Sequence, residues 1–145
     1  MTTRTGHCLC GAVSFTAHEM GDTFSICYCD MCQRWSGGPY RGVSVPTENL
    51  EITGRDHISI LKTSAFAERA FCSKCGSGIW WRMFAGPYTG KTSIPVGLLD
   101  SRDGLTANSV TFSDLKDHTN EYPEGIEEMD TAAVAKIIES IEGAL

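Results

Sequence analysis

Seven cysteines, gathered into three short-spaced groups, constrain this 145-residue chain more than any other feature of its sequence. They stand as Cys8-Leu9-Cys10, Cys27-Tyr28-Cys29-Asp30-Met31-Cys32 and Cys72-Ser73-Lys74-Cys75. Spacings this short bring two or three sulfurs to one point from a single turn of backbone, as a tetrahedral zinc site with Zn–S bonds of about 2.3 Å requires. An odd number of cysteines cannot all be paired as disulfides. The opening Met1 to Gly6 is short and polar, and nowhere is there an apolar run of the length of a secretory h-region or a membrane span. The expectation is a soluble, cytoplasmic protein with no membrane partner, in which clustered thiols bind metal or do redox chemistry.

The three groups differ in their flanking residues. Cys10 and Cys75 each precede a glycine, Gly11 and Gly76, which lets the backbone turn with positive φ and aim its amides at the sulfurs. Cys32 precedes Gln33 instead. Local chemistry therefore assigns Cys8, Cys10, Cys72 and Cys75 to one closed, structural zinc. Cys27, Cys29 and Cys32 remain, three ligands from one short loop, for a second zinc with an open position where a substrate can bind. An all-thiolate shell is electron-rich and suits holding a soft thiolate better than making hydroxide. Spacing alone also allows Cys8, Cys10, Cys27 and Cys29 to share a metal, or the middle group to be a second structural site completed by histidine or carboxylate.

The rest of the chain reads as a β-rich body within one domain over residues 1–145. Strands are expected at 12–15, 24–26, 50–53, 58–62, 79–83 and 96–99, separated by glycine- and proline-containing turns. A helix is expected over 130–143, where Val134, Ile137, Ile138 and Ile141 follow a 3.6-residue stripe after Asp130 or Thr131 as N-cap. Residues 1–112 hold ten Lys and Arg against nine Asp and Glu, and residues 113–145 hold two against nine. Neither part offers the basic footprint that nucleic acid requires, which excludes it as a partner.

Around the cysteines, Tyr28, Asp30 and Arg34 read as loop residues facing water, although each stands where it could meet a substrate. His7, His18, His57 and His118 read as surface histidines. Of Trp80 and Trp81, one is expected in the core and the other against a partner or solvent. Gly76-Ser77-Gly78 reads as the exit turn of a zinc knuckle, not a phosphate loop.

Three motifs, Gly6-His7-Cys8-Leu9-Cys10-Gly11-Ala12-Val13, Cys27-Tyr28-Cys29-Asp30-Met31-Cys32 and Phe71-Cys72-Ser73-Lys74-Cys75-Gly76, with Gly97-Leu98-Leu99-Asp100 as a weaker echo, occur in order over residues 6 to 115. In them the chain resembles the glutathione-dependent formaldehyde-activating enzyme family, which also includes centromere protein V. The resemblance implies a mainly β, Mss4-like zinc-binding fold of short antiparallel strands with a C-terminal α-helix. It implies two zincs per chain, a structural one on Cys8, Cys10, Cys72 and Cys75 and a catalytic one on Cys27, Cys29 and Cys32. It also implies carbon–sulfur lyase chemistry on a small-molecule thiol adduct: the reversible joining of formaldehyde to glutathione as S-hydroxymethylglutathione. Tyr28 departs from the histidine that many members carry there. A homo-oligomer is compatible with the sequence, and the rival functions are a non-catalytic zinc module for protein interaction and a cysteine redox sensor.

Overall fold

Alternation of buried and exposed residues shapes most of the chain into strands. In the computed structural model, which describes residues 1–117 and 120–144, the elements run β1 (Thr2–His7), β2 (Ser14–Met20), β3 (Thr23–Cys27), α1 (Asp30–Ser36), β4 (Tyr40–Pro46), β5 (Leu50–Thr53), β6 (Ile58–Lys62), β7 (Ala67–Cys72), β8 (Gly78–Met83), β9 (Lys91–Pro95), β10 (Thr106–Thr111), β11 (Glu127–Met129) and α2 (Thr131–Glu142). The period-2 pattern shows in β2, where Phe15 and Ala17 are buried on one face and a bulge at Glu19, with φ of 52°, returns Met20 to the core. His118 lies outside the described residues.

Two sheets result. β1, β2 and β5 form a three-stranded antiparallel sheet. The other eight strands are ordered β11-β10-β3-β4-β9-β8-β7-β6. The fold is mainly β, as expected, and most pairs are antiparallel, but β10 runs parallel to both β3 and β11. The main core lies between the sheets, with Val13, Phe15, Met20, Val43, Val45, Ile79, Trp80 and Ile94 buried together. Cys8 and Cys72 are members of that core, at 1% and 0% exposure. The first follows a strand of the small sheet and the second ends a strand of the large one, so whatever joins their sulfurs staples one sheet to the other.

The expected helix forms with Asp130 as its N-cap, accepting from the Ala133 amide, and Gly143 as its C-cap. Ile141 packs against Ala67 and Met83, with Trp81 alongside. Trp80 therefore enters the core while Trp81 meets α2. The strand expected at 96–99 is instead a 3-10 turn, Val96–Leu98. The strand lies before it, in β9, where Thr92 and Ile94 are buried, and it ends at Pro95, beside Gly97.

Candidate metal centres

Each sulfur is placed by a different local device. Gly11 and Gly76 have φ of 75° and 78°, and their amides turn back to the carbonyls of Cys8 and Cys72. These are the turns that the Cys-Gly sequences predict. They bring Cys8, Cys10, Cys72 and Cys75 together with all four sulfurs within 4.8 Å of one another. The Cys8–Cys10 and Cys10–Cys72 Sγ distances are 3.6 and 3.9 Å. Sulfurs at the corners of a tetrahedron with Zn–S bonds of about 2.3 Å stand about 3.8 Å apart, so the cage has the size of the ion it would hold. The Val13 amide donates to Cys8 Sγ at 3.3 Å, and Ser77 Oγ lies 3.3 Å from Cys75 Sγ while accepting from the Leu9 amide. The Ser77 hydroxyl, with the Ser77 amide, pulls the Cys75 thiol down to about 5. Ser77 thus ties the two knuckles together.

The middle group is built differently from the loop expected of it. Cys27 ends β3, Cys29 is the N-cap of α1, and Cys32 lies in that helix. Cys29 Sγ accepts from the Cys32 amide at 3.4 Å, replacing the oxygen of an ordinary N-cap. Asp30 in the first turn and Gly37, in the left-handed C-cap conformation, were the available sequence signals for this helix. The three sulfurs lie within 4.8 Å of one another, and among the described residues no fourth histidine, cysteine or carboxylate joins them. A metal held here by side chains alone would keep one position open.

Three thiols this close cannot all ionise without a cation among them. Hydrogen bonds from Cys27 and Cys32, helped by the Cys32 amide and the charge of Arg69, lower Cys29 to about 2. The same crowding, from Cys27 first and then Cys29, drives Cys32 upward. A divalent ion removes that conflict by holding all three as thiolates.

Two nearby residues take roles that the sequence did not announce. Tyr28 is no loop residue facing water: it is 1% exposed and packs with Ile26 and Val110. Its hydroxyl hydrogen-bonds that of Tyr122, and burial followed by that bond pushes the phenol well above its ordinary range. It stays protonated at neutral pH and is a packing group, not a base. Arg69, in β7, reaches Cys32 Sγ through Nη2 at 3.3 Å. A charged pair in the segment Ala67-Glu68-Arg69-Ala70 disguises a strand in which both charges are buried.

The remaining candidates sit apart. Asp30 and Arg34 are exposed. His7 donates from Nδ1 to the Cys8 carbonyl, 2.8 Å away, and faces Asp100 at 3.4 Å, while His18 faces Glu51. Two surface clefts lie over the small sheet and its edge, the larger lined by Thr2, Thr3, Arg4 and Ser101 and the other by His7, Ser14 and Glu51, with Thr5 and Asp100 shared. No cysteine lines either. No helix among the described residues is long and apolar enough to cross a membrane.

Comparison with known proteins supplies a family. The sequence model of the family described as glutathione-dependent formaldehyde-activating enzyme matches residues 3–114. An uncharacterized lyase of Schizosaccharomyces pombe is 31% identical over 85 residues, 57% of this chain and 61% of its own. A Halomonas elongata protein named for glutathione-dependent formaldehyde activation is 33% identical over 85 residues, 52% of this chain and 53% of its own. The chain thus spans between half and two thirds of the length of these curated relatives. The crystal structure of a Rhodobacter sphaeroides protein superposes with a TM-score of 0.56 at 20% identity, covering 67% of this chain and 88% of that one, a likeness of fold.

Proposed function

Since the chain belongs to the glutathione-dependent formaldehyde-activating enzyme family, we propose that it is a zinc-dependent carbon–sulfur lyase acting on the adduct of glutathione, or another small thiol, with an aldehyde. The observation that carries the proposal is the difference between the two sulfur groups. Cys8, Cys10, Cys72 and Cys75 form a complete four-sulfur set anchored in the core through Cys8 and Cys72, whereas Cys27, Cys29 and Cys32 converge without a fourth side-chain ligand among the described residues.

On this reading the first set holds a structural zinc and the second a catalytic one. When bound, the second zinc supplies an acceptor for a substrate thiolate, lowering the thiol's pKa so that sulfur is presented as a nucleophile at neutral pH. The chain's own residues do the positioning. Cys27 is fixed by strand pairing to β4 and β10, and Cys29 and Cys32 by the first turn of α1, so the three sulfurs face one point from rigid backbone. The reaction balances without an oxidant: a sulfur–carbon bond forms at the carbonyl carbon, the carbonyl π pair moves to oxygen, and the thiol proton ends on that oxygen. The reverse direction breaks the same bond.

The test is exchange between formaldehyde, glutathione and S-hydroxymethylglutathione, followed by NMR with zinc-loaded protein. Acceleration over the uncatalysed rate, lost in Cys29→Ser with the fold retained, supports the reading. A fully zinc-loaded protein that leaves the exchange rate unchanged overturns it. That result would favour a zinc module for protein contact.

A further inference from the structure

Arg69 is a buried cation without the usual partner. It is 3% exposed, and a guanidinium so placed ordinarily faces a carboxylate, because an unpaired charge out of water is costly. Among the described residues no carboxylate oxygen lies within ion-pair distance of it. The next residue back, Glu68, projects from the opposite face of β7 and is taken by Arg82 at 2.7 Å. The acceptors Arg69 does have are Thr63 Oγ1 at 2.6 Å, Met31 Sδ at 2.9 Å and Cys32 Sγ at 3.3 Å. Two are neutral. The third belongs to the three-sulfur group, the anionic centre within reach of the guanidinium.

Charge arithmetic then fits. Three thiolates around one divalent ion carry a single net negative charge, which one guanidinium cancels. We infer that Arg69 is the built-in counter-ion of the three-thiolate site, a positioning residue that holds Cys32 by a charge-assisted N–H···S bond and lets an anionic metal centre exist half-buried. The inference rests on the zinc reading above and adds to it a residue that touches neither metal nor substrate. It also gives the site a preference. When a fourth thiolate from substrate brings a second negative charge, the guanidinium offsets part of the added cost, and without it the site should favour a neutral fourth ligand.

The test uses the full chain, stripped and reloaded, with the affinity of each zinc measured by competition against a chelating indicator. Arg69→Met and Arg69→Gln remove the charge, and Arg69→Lys keeps it. The expected result is one zinc bound 10- to 100-fold more weakly in the two neutral variants, on the order seen when a hydrogen-bond partner of a ligand is lost, with the other zinc unchanged. Lysine, which keeps the charge but not the fork, should recover part of that affinity. With cobalt in place of zinc, the thiolate-to-metal absorption of the weakened site should move to lower energy, because a sulfur relieved of its N–H donor is a stronger electron source. Equal zinc affinities in all variants overturn the inference, as does a lysine variant as weak as methionine, which would make the role one of shape. If neither neutral variant folds with the four-cysteine site loaded, Arg69 is a determinant of the fold and the inference falls. A wild-type chain that takes up only one zinc refutes the zinc reading itself, whereas two zincs with indifferent Arg69 variants refute only this step.

Discussion

Gly54→Ala probes the link between backbone and metal cage. Gly54 has φ of 80° and ψ of 30°, and a Cβ there would lie 1.9 Å from the Ala12 carbonyl oxygen and 3.3 Å from Val13 Cα. Left-handed backbone costs an alanine about 1–2 kcal/mol, offset by about 0.4–1 kcal/mol from the stiffer unfolded chain. Displacing a packed backbone adds about 1–3 kcal/mol. The total is about 1–4.5 kcal/mol, or a fall in Tm of roughly 3–14 °C for a chain of this size. Gly104 is the control, because it has φ of 75° with nothing within 4 Å of its Cβ position. Gly104→Ala should show the conformational cost alone, about 1 kcal/mol. The Val13 amide and carbonyl bond Cys8 Sγ and the Cys8 amide, so Gly54→Ala should also weaken zinc at the four-cysteine site. Thermal unfolding at fixed free zinc measures the first effect and chelator competition the second. Equal losses in the two variants, with zinc affinity unmoved, would refute the claim that Ala12 and Val13 are held in place for the cage.

Two further predictions concern groups beside the candidate sites. Tyr28→Phe should cost about 1 kcal/mol in urea unfolding through the lost bond to Tyr122 and leave both zincs bound; loss of the second zinc would make Tyr28 part of the metal site. The Thr131 hydroxyl, followed by its amide, lowers the Asp114 carboxyl below its usual value. A depressed carboxylate contributes stability above its unfolded pKa of about 3.9 and loses it as pH falls through the lower folded value. The protection factor of the Thr131 amide should therefore fall in that acid range in the wild type, and Asp114→Ala, which has no acceptor to offer, should lack that protection at every pH; identical profiles would remove Asp114 as an anchor of α2.

Much of the site was legible because sulfur spacing and Cys-Gly turns are local chemistry. The pairing of the knuckle at Cys8 and Cys10 with that at Cys72 and Cys75, 62 residues apart between Cys10 and Cys72, was readable for the same reason, since both ends announce one backbone device. The strands at Leu50–Thr53 and Ile58–Lys62 and the terminal helix were legible from periodicity. What was hidden depends on long-range partners. β7 reads as polar until Glu68 finds Arg82 on the neighbouring strand and Arg69 finds Cys32 in α1. Tyr28 reads as a loop residue until Val110 and Tyr122, more than eighty positions later, cover it. β4 was masked by its own Gly42 and Pro46, although Tyr40, Val43 and Val45 are buried. The helix at Cys29 was missed because a thiol is an unusual N-cap.

The central claim, that seven cysteines form one closed and one open zinc site, is tested most directly by counting metal in the intact chain with non-denaturing mass spectrometry. The wild type should carry two zincs, the combined Cys27→Ser, Cys29→Ser and Cys32→Ser variant should carry one and remain folded, and Cys72→Ser should lose its fold along with its structural zinc. A wild-type chain with a single zinc, or a triple variant that still binds two, would contradict the division.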